Sequence, residues 1–219
     1  MTPNNIYFVS GIDTDCGKTF VTGKLAKVLL DKGKDVSTFK LVQTGCSKVA
    51  EDIIEHRKLM NVPLSEDDKN GKSCGAVFEF PASPHLAAQL ENKEINIPEV
   101  KTKLLEQASQ HELLLCEGAG GLHVPLTTTY KLIDFIREYQ FPLILVSSSK
   151  LGSINHTLLS LESCKTHGIN VHSVIYNEFP DHDKEIAEDS FDIIKQYIHE
   201  NMEDTIICRL KNILTMDLF

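Results

Sequence analysis

The sequence predicts an α/β protein built on a doubly wound, mainly parallel sheet in a single domain spanning 1–219. Five short apolar runs alternate with helical patterns along the chain, and several of those runs are apolar throughout, as strands covered on both faces must be. The first run leads directly into a glycine-bearing loop and then a helix, the supersecondary unit that opens many such sheets.

That first run, "IYFVS" (6–10), is β-branched and aromatic, as a buried strand should be. "GIDTDCGKT" (11–19) follows and nearly matches the phosphate-loop rule G-x-x-x-x-G-K-[ST], but Gly11 stands one residue early and Asp13 lies inside the loop. Val21, Leu25, Val28 and Leu29 then mark one apolar helix face over 18–32, stopped at Lys32-Gly33. In such a unit the loop N–H groups and the positive end of the helix hold phosphate oxygens, Lys18 adds a mobile charge, and Thr19 is a Mg²⁺ ligand. The bland alternative is a strand-turn-helix with a fortuitous Gly-Lys-Thr.

The second run, "DVSTF" (35–39), ends at Lys40, with a helix expected near 48–60. Residues 61–80 read as a loop-rich excursion, followed by a helix near 98–110. "ELLLC" (112–116) leads to Glu117 and the glycines of "EGAGG", an acid placed to assist Mg²⁺ before a turn that lets backbone approach a ligand. A helix near 131–139, "PLILVS" (142–147), a helix near 153–167, "VHSVIY" (171–176) ending at Asn177, and a helix near 183–200 complete the order. Ligands of open parallel sheets collect at the carboxyl ends of strands, where these runs place the loop, Lys40, Glu117, Ser147 and Asn177. Taken singly, each is equally a polar residue leaving the sheet for water.

Composition excludes several classes. A chain of 219 residues can bury a sizeable core, and no apolar stretch approaches the length that spans a bilayer. With no basic region and apolar core at the amino terminus, the expected location is the cytoplasm, with no membrane partner. The net charge is −9, concentrated in 178–204, where ten acids face only Lys184 and Lys195; no basic stripe exists for a nucleic acid. The six cysteines form no C-x-x-C pair and read as reduced thiols, and the nine histidines show no short ligand spacing.

The motifs together resemble the dethiobiotin synthetase family, whose loop reads G-T-D-T-[DE]-x-G-K-T, with the early glycine and internal acid. The match fails at Ile12. "FKLVQTG" (39–45) is similar to the family's Y-K-P-V-x-[ST]-G, with Leu41 in place of proline. "SPH" (83–85), "CEGAGG", "KLGSINHT" (150–157) and "VIYNEF" match further segments, so the resemblance covers roughly 6–180. About 180–219 is divergent: the family's L-G-x-[IL]-P stretch, which helps enclose adenine, has no counterpart in "NMEDTIICRLKNILTMDLF".

The resemblance implies an ATP- and Mg²⁺-dependent cyclo-ligase joining 7,8-diaminononanoate and CO₂ into the ureido ring of dethiobiotin, with ADP and phosphate released. It implies Lys18 and Lys40 as catalytic cations. Asp15, Cys16, Gly17, Lys18, Thr19, Phe20, Glu117 and Asn177 would hold the nucleotide, with Asn177 reading the base edge. Thr14, Lys40, Thr44, Gly120, Gly121, Ser153 and Asn155 would hold substrate, the last two for a neighbouring subunit of a homodimer. Thr19, Asp52 and Glu117 would hold Mg²⁺. The alternative is a switch ATPase of the chromosome- or septum-positioning kind, which carries a further loop lysine where Asp13 stands here. An amidotransferring cobalamin-pathway synthetase would need a glutaminase domain for which 219 residues leave no room.

Overall fold

A computed structural model describes residues 5–179 and 183–213. The divergent carboxyl-terminal segment is therefore described only in part, and its residues 180–182 and 214–219 lie outside the described residues.

The elements run β1 (Ile6–Gly11), α1 (Lys18–Asp31), β2 (Val36–Thr44), α2 (Glu51–Met60), α3 (Glu66–Lys69), β3 (Cys74–Phe78), α4 (Pro84–Leu90) and α5 (Ile97–Ala108). They continue with β4 (Leu113–Gly121), α6 (Leu132–Tyr139), β5 (Leu143–Ser148), α7 (Ser153–His167), β6 (Val171–Asn177), α8 (Lys184–Asn201) and β7 (Ile206–Arg209). The strands form one seven-stranded sheet in the order β3-β2-β4-β1-β5-β6-β7, and every strand pair is parallel. The expected doubly wound class stands, with β1 at the centre and the chain turning outward on either side of it.

One face of the sheet buries Phe8, Phe39, Leu114 and Cys116 beneath α4 to α8. The other buries Val9, Leu115, Ile144 and Val146 beneath α1. Alternation along β2 and β4 puts Thr38 and Lys40, and Leu115 and Glu117, on this second face. Beside α1 on the same side lies α2, at unusually close range. A Cβ on Gly23 of α1 would come within 2.8 Å of Leu59 and 3.3 Å of the Cα of His56. Glycine costs a helix interior roughly 0.5–1 kcal/mol relative to alanine, and here it admits the neighbouring helix.

Several expectations need correction. Residues 61–80 hold a short helix and the edge strand β3, which pairs with β2 from Lys40↔Cys74 to Thr44↔Phe78. The strand β7 was not expected in the charged tail. It is pinned by Arg209, which donates a fork to Glu188 (2.9 and 2.6 Å), a further bond to Glu178 (2.8 Å), and stacks over Phe191. Two members of the acidic run thus anchor an edge strand. Both β2 and β4 run past the charges that were read as their ends: Lys40 and Glu117 lie mid-strand, and the glycines after Glu117 extend β4 where a turn was expected.

Candidate active site

The loop between β1 and α1 closes through backbone geometry. Asp15 and Gly17 take positive φ (58° and 92°), and Gly17 caps α1 with no side chain bonded there. A Cβ on Gly17 would lie 2.1 Å from Nδ2 of Asn177, so only glycine fits. The helix start is left to its own N–H groups, the arrangement that receives phosphate oxygens. Lys18 is nearly buried and donates from Nζ to the Asp13 carbonyl at 3.0 Å. Thr19 Oγ1 donates to Glu117 Oε1 at 3.0 Å, tying the loop to β4.

Lys40 and Glu117 are register partners on adjacent parallel strands. The Lys40 ammonium, on a residue 4% exposed, donates to Glu117 Oε1 (2.8 Å) and the Gly118 carbonyl (3.0 Å) and also contacts the Asp52 carboxylate. Burial alone would lower the pKa of Lys40, but the charges of Glu117 and Asp52 outweigh it and hold the ammonium above its usual range. For Glu117, fully buried, the opposite holds. Burial would raise its pKa, and the Lys40 charge with the hydrogen bond from His56 keeps the carboxylate ionised, well below the usual range. Both groups are charged at neutral pH.

A cavity of about 520 Å³ collects Thr14, Asp15, Gly17, Lys18, Thr19, Phe20, Lys40, Thr44, Asp52, Glu117 and Gly120. An adjoining cavity of about 350 Å³ holds Cys16 and Ser153, and a third of about 460 Å³ holds Gly121; Thr14 lines all three. Two expected residues lie outside these three cavities. Asn155 is exposed on the first turn of α7 and lines none of these cavities. Asn177 is buried beneath the loop, where its Nδ2 donates to the carbonyls of Cys16 (3.0 Å) and Phe179 (3.2 Å) and its Oδ1 accepts from Phe179 N–H (3.1 Å). Its amide is therefore a brace for the loop, with one Oδ1 lone pair to spare. The cap of α7 is Gly152, at φ 94°, and the buried Ser153 Oγ has no hydrogen-bond partner among the described residues.

The oxygen set of Thr19, Glu117 and Asp52 suits Mg²⁺. That ion takes hard oxygen ligands, and usually only one or two carboxylates beside the phosphates it serves. Among the described residues no three His, Cys, Asp or Glu side chains gather as a metal cage.

Sequence reasoning missed the buried groups behind Glu117: His56, Thr38, Arg57 and Asp68. A signal existed, since Asp52 and His56 are four apart on one helix and so share a face. Among the described residues no helix is long and apolar enough to cross a membrane.

Comparison with known proteins agrees with this geometry. A family model described as an AAA domain matches residues 5–216. Among solved structures, a ParA family ATPase from Chlorobium tepidum superposes with TM-score 0.55 at 13% identity, covering 97% of this chain and 90% of that one. The signal recognition particle receptor FtsY from Elizabethkingia anophelis, with GDP, gives 0.57 at 14%, covering 100% and 61%. At such identities these neighbours establish the P-loop NTPase-like fold alone. Curated relatives are far nearer. An ATP-dependent dethiobiotin synthetase of Pasteurella multocida is 43% identical over 92% of this chain and 94% of its own. That of Haemophilus influenzae is 49% identical over 81% and 93%, and that of Chlorobaculum tepidum 47% over 85% and 78%. With relatives this similar over nearly its whole length, the chain belongs to the ATP-dependent dethiobiotin synthetases, a family of ligases in biotin synthesis.

Proposed function

We propose that the protein closes the ureido ring of dethiobiotin from 7,8-diaminononanoate, CO₂ and ATP. One amine of the diamine adds CO₂ to give a carbamate, with loss of a proton. A carbamate oxygen attacks the γ-phosphorus of ATP, and ADP leaves. The second amine then attacks the carbonyl carbon of this carbamic-phosphoric anhydride and loses a proton, and phosphate departs with that oxygen. No covalent bond to the protein is needed, so the protein's task is to position groups and neutralise charge.

The observation that carries this reading is the Lys40 ammonium, held protonated between Asp52 and Glu117 in the same cavity as Lys18 and Thr19 of the loop. A cation fixed there cannot serve as a base at neutral pH, whereas it can stabilise negative charge gathering on the carbamate and the transferring phosphoryl group. Lys18 and the N–H groups of the loop hold the remaining phosphate oxygens. Thr19, Asp52 and Glu117 would hold Mg²⁺, which neutralises phosphate charge. Thr14, Thr44, Gly120 and Gly121 wall the diamine site.

The substrate carboxylate would be received by Ser153 and Asn155 at the start of α7 of a second subunit. In support, Asn155 is exposed, and Leu151 and Leu159, 79% and 62% exposed, flank it in sequence. The test is phosphate release from ATP, Mg²⁺ and bicarbonate with and without the diamine. Release that requires the diamine is expected; release indifferent to it would reject the ligase reading.

A further inference from the structure

Behind Glu117 runs a buried polar chain to which none of these roles is assigned. His56 on α2 is 0% exposed and bridges two elements of the sheet: Nε2 lies 2.7 Å from Glu117 Oε2, and Nδ1 lies 3.0 Å from Thr38 Oγ1. The Thr38 oxygen already accepts from Arg57 Nη1 at 2.8 Å. The ionised Glu117 carboxylate can only accept, so His56 Nε2–H is the donor to it, whichever way the bond between Nδ1 and Thr38 runs. Arg57 is itself held by a fork onto Asp68, with Nε–Oδ2 and Nη2–Oδ1 both 2.8 Å. Each link orients the next.

The two oxygens of Glu117 face different partners. Oε1 accepts from Lys40 and Thr19, on the side of the loop, and Oε2 accepts from His56. The last torsion of a glutamate side chain is soft, so hydrogen-bond donors must decide which oxygen faces the loop. The close approach of α2 at Gly23 brings the His56 ring to this carboxylate.

We propose that His56 is a positioning residue that pins the Glu117 carboxylate by its outer oxygen, so that the inner oxygen is presented to the cation and phosphates of the bound nucleotide. The inference rests on the reading of Glu117 as the acid that faces Mg²⁺. It concerns the His56 N–H donor, not the mere filling of the space.

The experiment is calorimetric titration of Mg²⁺ into the protein saturated with ADP, comparing wild type, His56→Leu and His56→Gln, with thermal unfolding to verify folding. His56→Leu is expected to weaken Mg²⁺ binding about 10-fold, the lower end of the range for lost outer-shell partners, while the half-saturating diamine concentration in turnover stays unchanged. His56→Gln, whose amide nitrogen can reach the Nε2 position, is expected to stay within about 3-fold of wild type, on the same scale. Wild-type binding in a folded His56→Leu protein overturns the proposal. Equal weakening in both variants also overturns it, since packing and not donation would then be at stake. If His56→Leu does not fold, His56→Gln decides: near wild-type binding supports the proposal and a 10-fold loss rejects it. Binding is read without diamine, so failure of the ligase reading would show separately as missing turnover in the wild type.

Discussion

Lys40 and Glu117 face each other across two adjacent parallel strands, register partners whose Nζ and Oε1 are 2.8 Å apart with neither exposed to water beyond 4%. Their placement couples catalysis to stability. Lys40→Ala is expected to lower kcat by about 10² or more, as when one preorganised charge-stabilising group is lost. It should also cost about 3 kcal/mol of stability, because a buried carboxylate loses its cation. Glu117 keeps Thr19 and His56 as donors, so the variant should still fold. Steady-state kinetics and urea unfolding measure both effects. A Lys40→Ala protein with full turnover would remove this residue from the mechanism.

The Arg57–Asp68 pair sets an acid limit. Burial alone would raise the Asp68 pKa, but Arg57 and Ser73 hold it down to about 2 from 3.8. A depressed carboxylate stabilises the fold above its unfolded pKa, and that stability is lost as pH falls through the folded value. Between pH 4 and pH 2 the protein should thus lose on the order of 2 kcal/mol through this one group. Urea unfolding across that window should show a shallower loss when Arg57 and Asp68 are both replaced by leucine. An unchanged slope would mean that the pair does not govern the acid limb.

Sharing of a site across subunits has its own signature. Lys18→Ala and Asn155→Ala chains should each be inactive alone, yet random mixing gives hybrid dimers with one intact site. Recovery of about a quarter of wild-type activity is expected for a two-fold symmetric dimer. No recovery in dimers shown to be mixed would confine both residues to one subunit's site.

Base recognition should be loose. A groove lined by Phe20, Phe179, Leu210 and Ile213, together with Lys24, Lys27 and Lys211, lies at Phe179, whose backbone bonds to Asn177. The tail thus contributes apolar side chains there, and Asn177 has only one lone pair left. Strong discrimination requires buried polar groups that the wrong base leaves unpaired. GTP and CTP are therefore expected within about 10² of ATP in kcat/KM, read as diamine-dependent phosphate release. A preference for ATP above about 10⁴ would require a closed, hydrogen-bonding adenine site.

The order of the main strands and helices was legible because each carries an apolar period of its own. What escaped was structure made by pairing across the chain. The segment "CGAVF" of β3 is short, glycine-bearing and needs β2 beside it; "IICR" of β7 needs Glu178 and Glu188 to hold Arg209. The strands β2 and β4 were ended too early for one physical reason. A lone charge belongs in water, so Lys40 and Glu117 each looked like an exit from the sheet. Side by side they neutralise one another and the strands continue. The candidate site was legible through its motifs, whereas His56 offered only its four-residue spacing from Asp52, a signal that gains meaning once Thr38 and Glu117 are seen on either side of its ring.

The most direct measurement of ring closure follows the carbon. With ¹³C-bicarbonate, ATP, Mg²⁺ and 7,8-diaminononanoate, carbon NMR should show the label as a ureido carbonyl, one equivalent formed for each phosphate released. Phosphate released without a labelled ureido carbon, or at the same rate when the diamine is left out, would contradict the account.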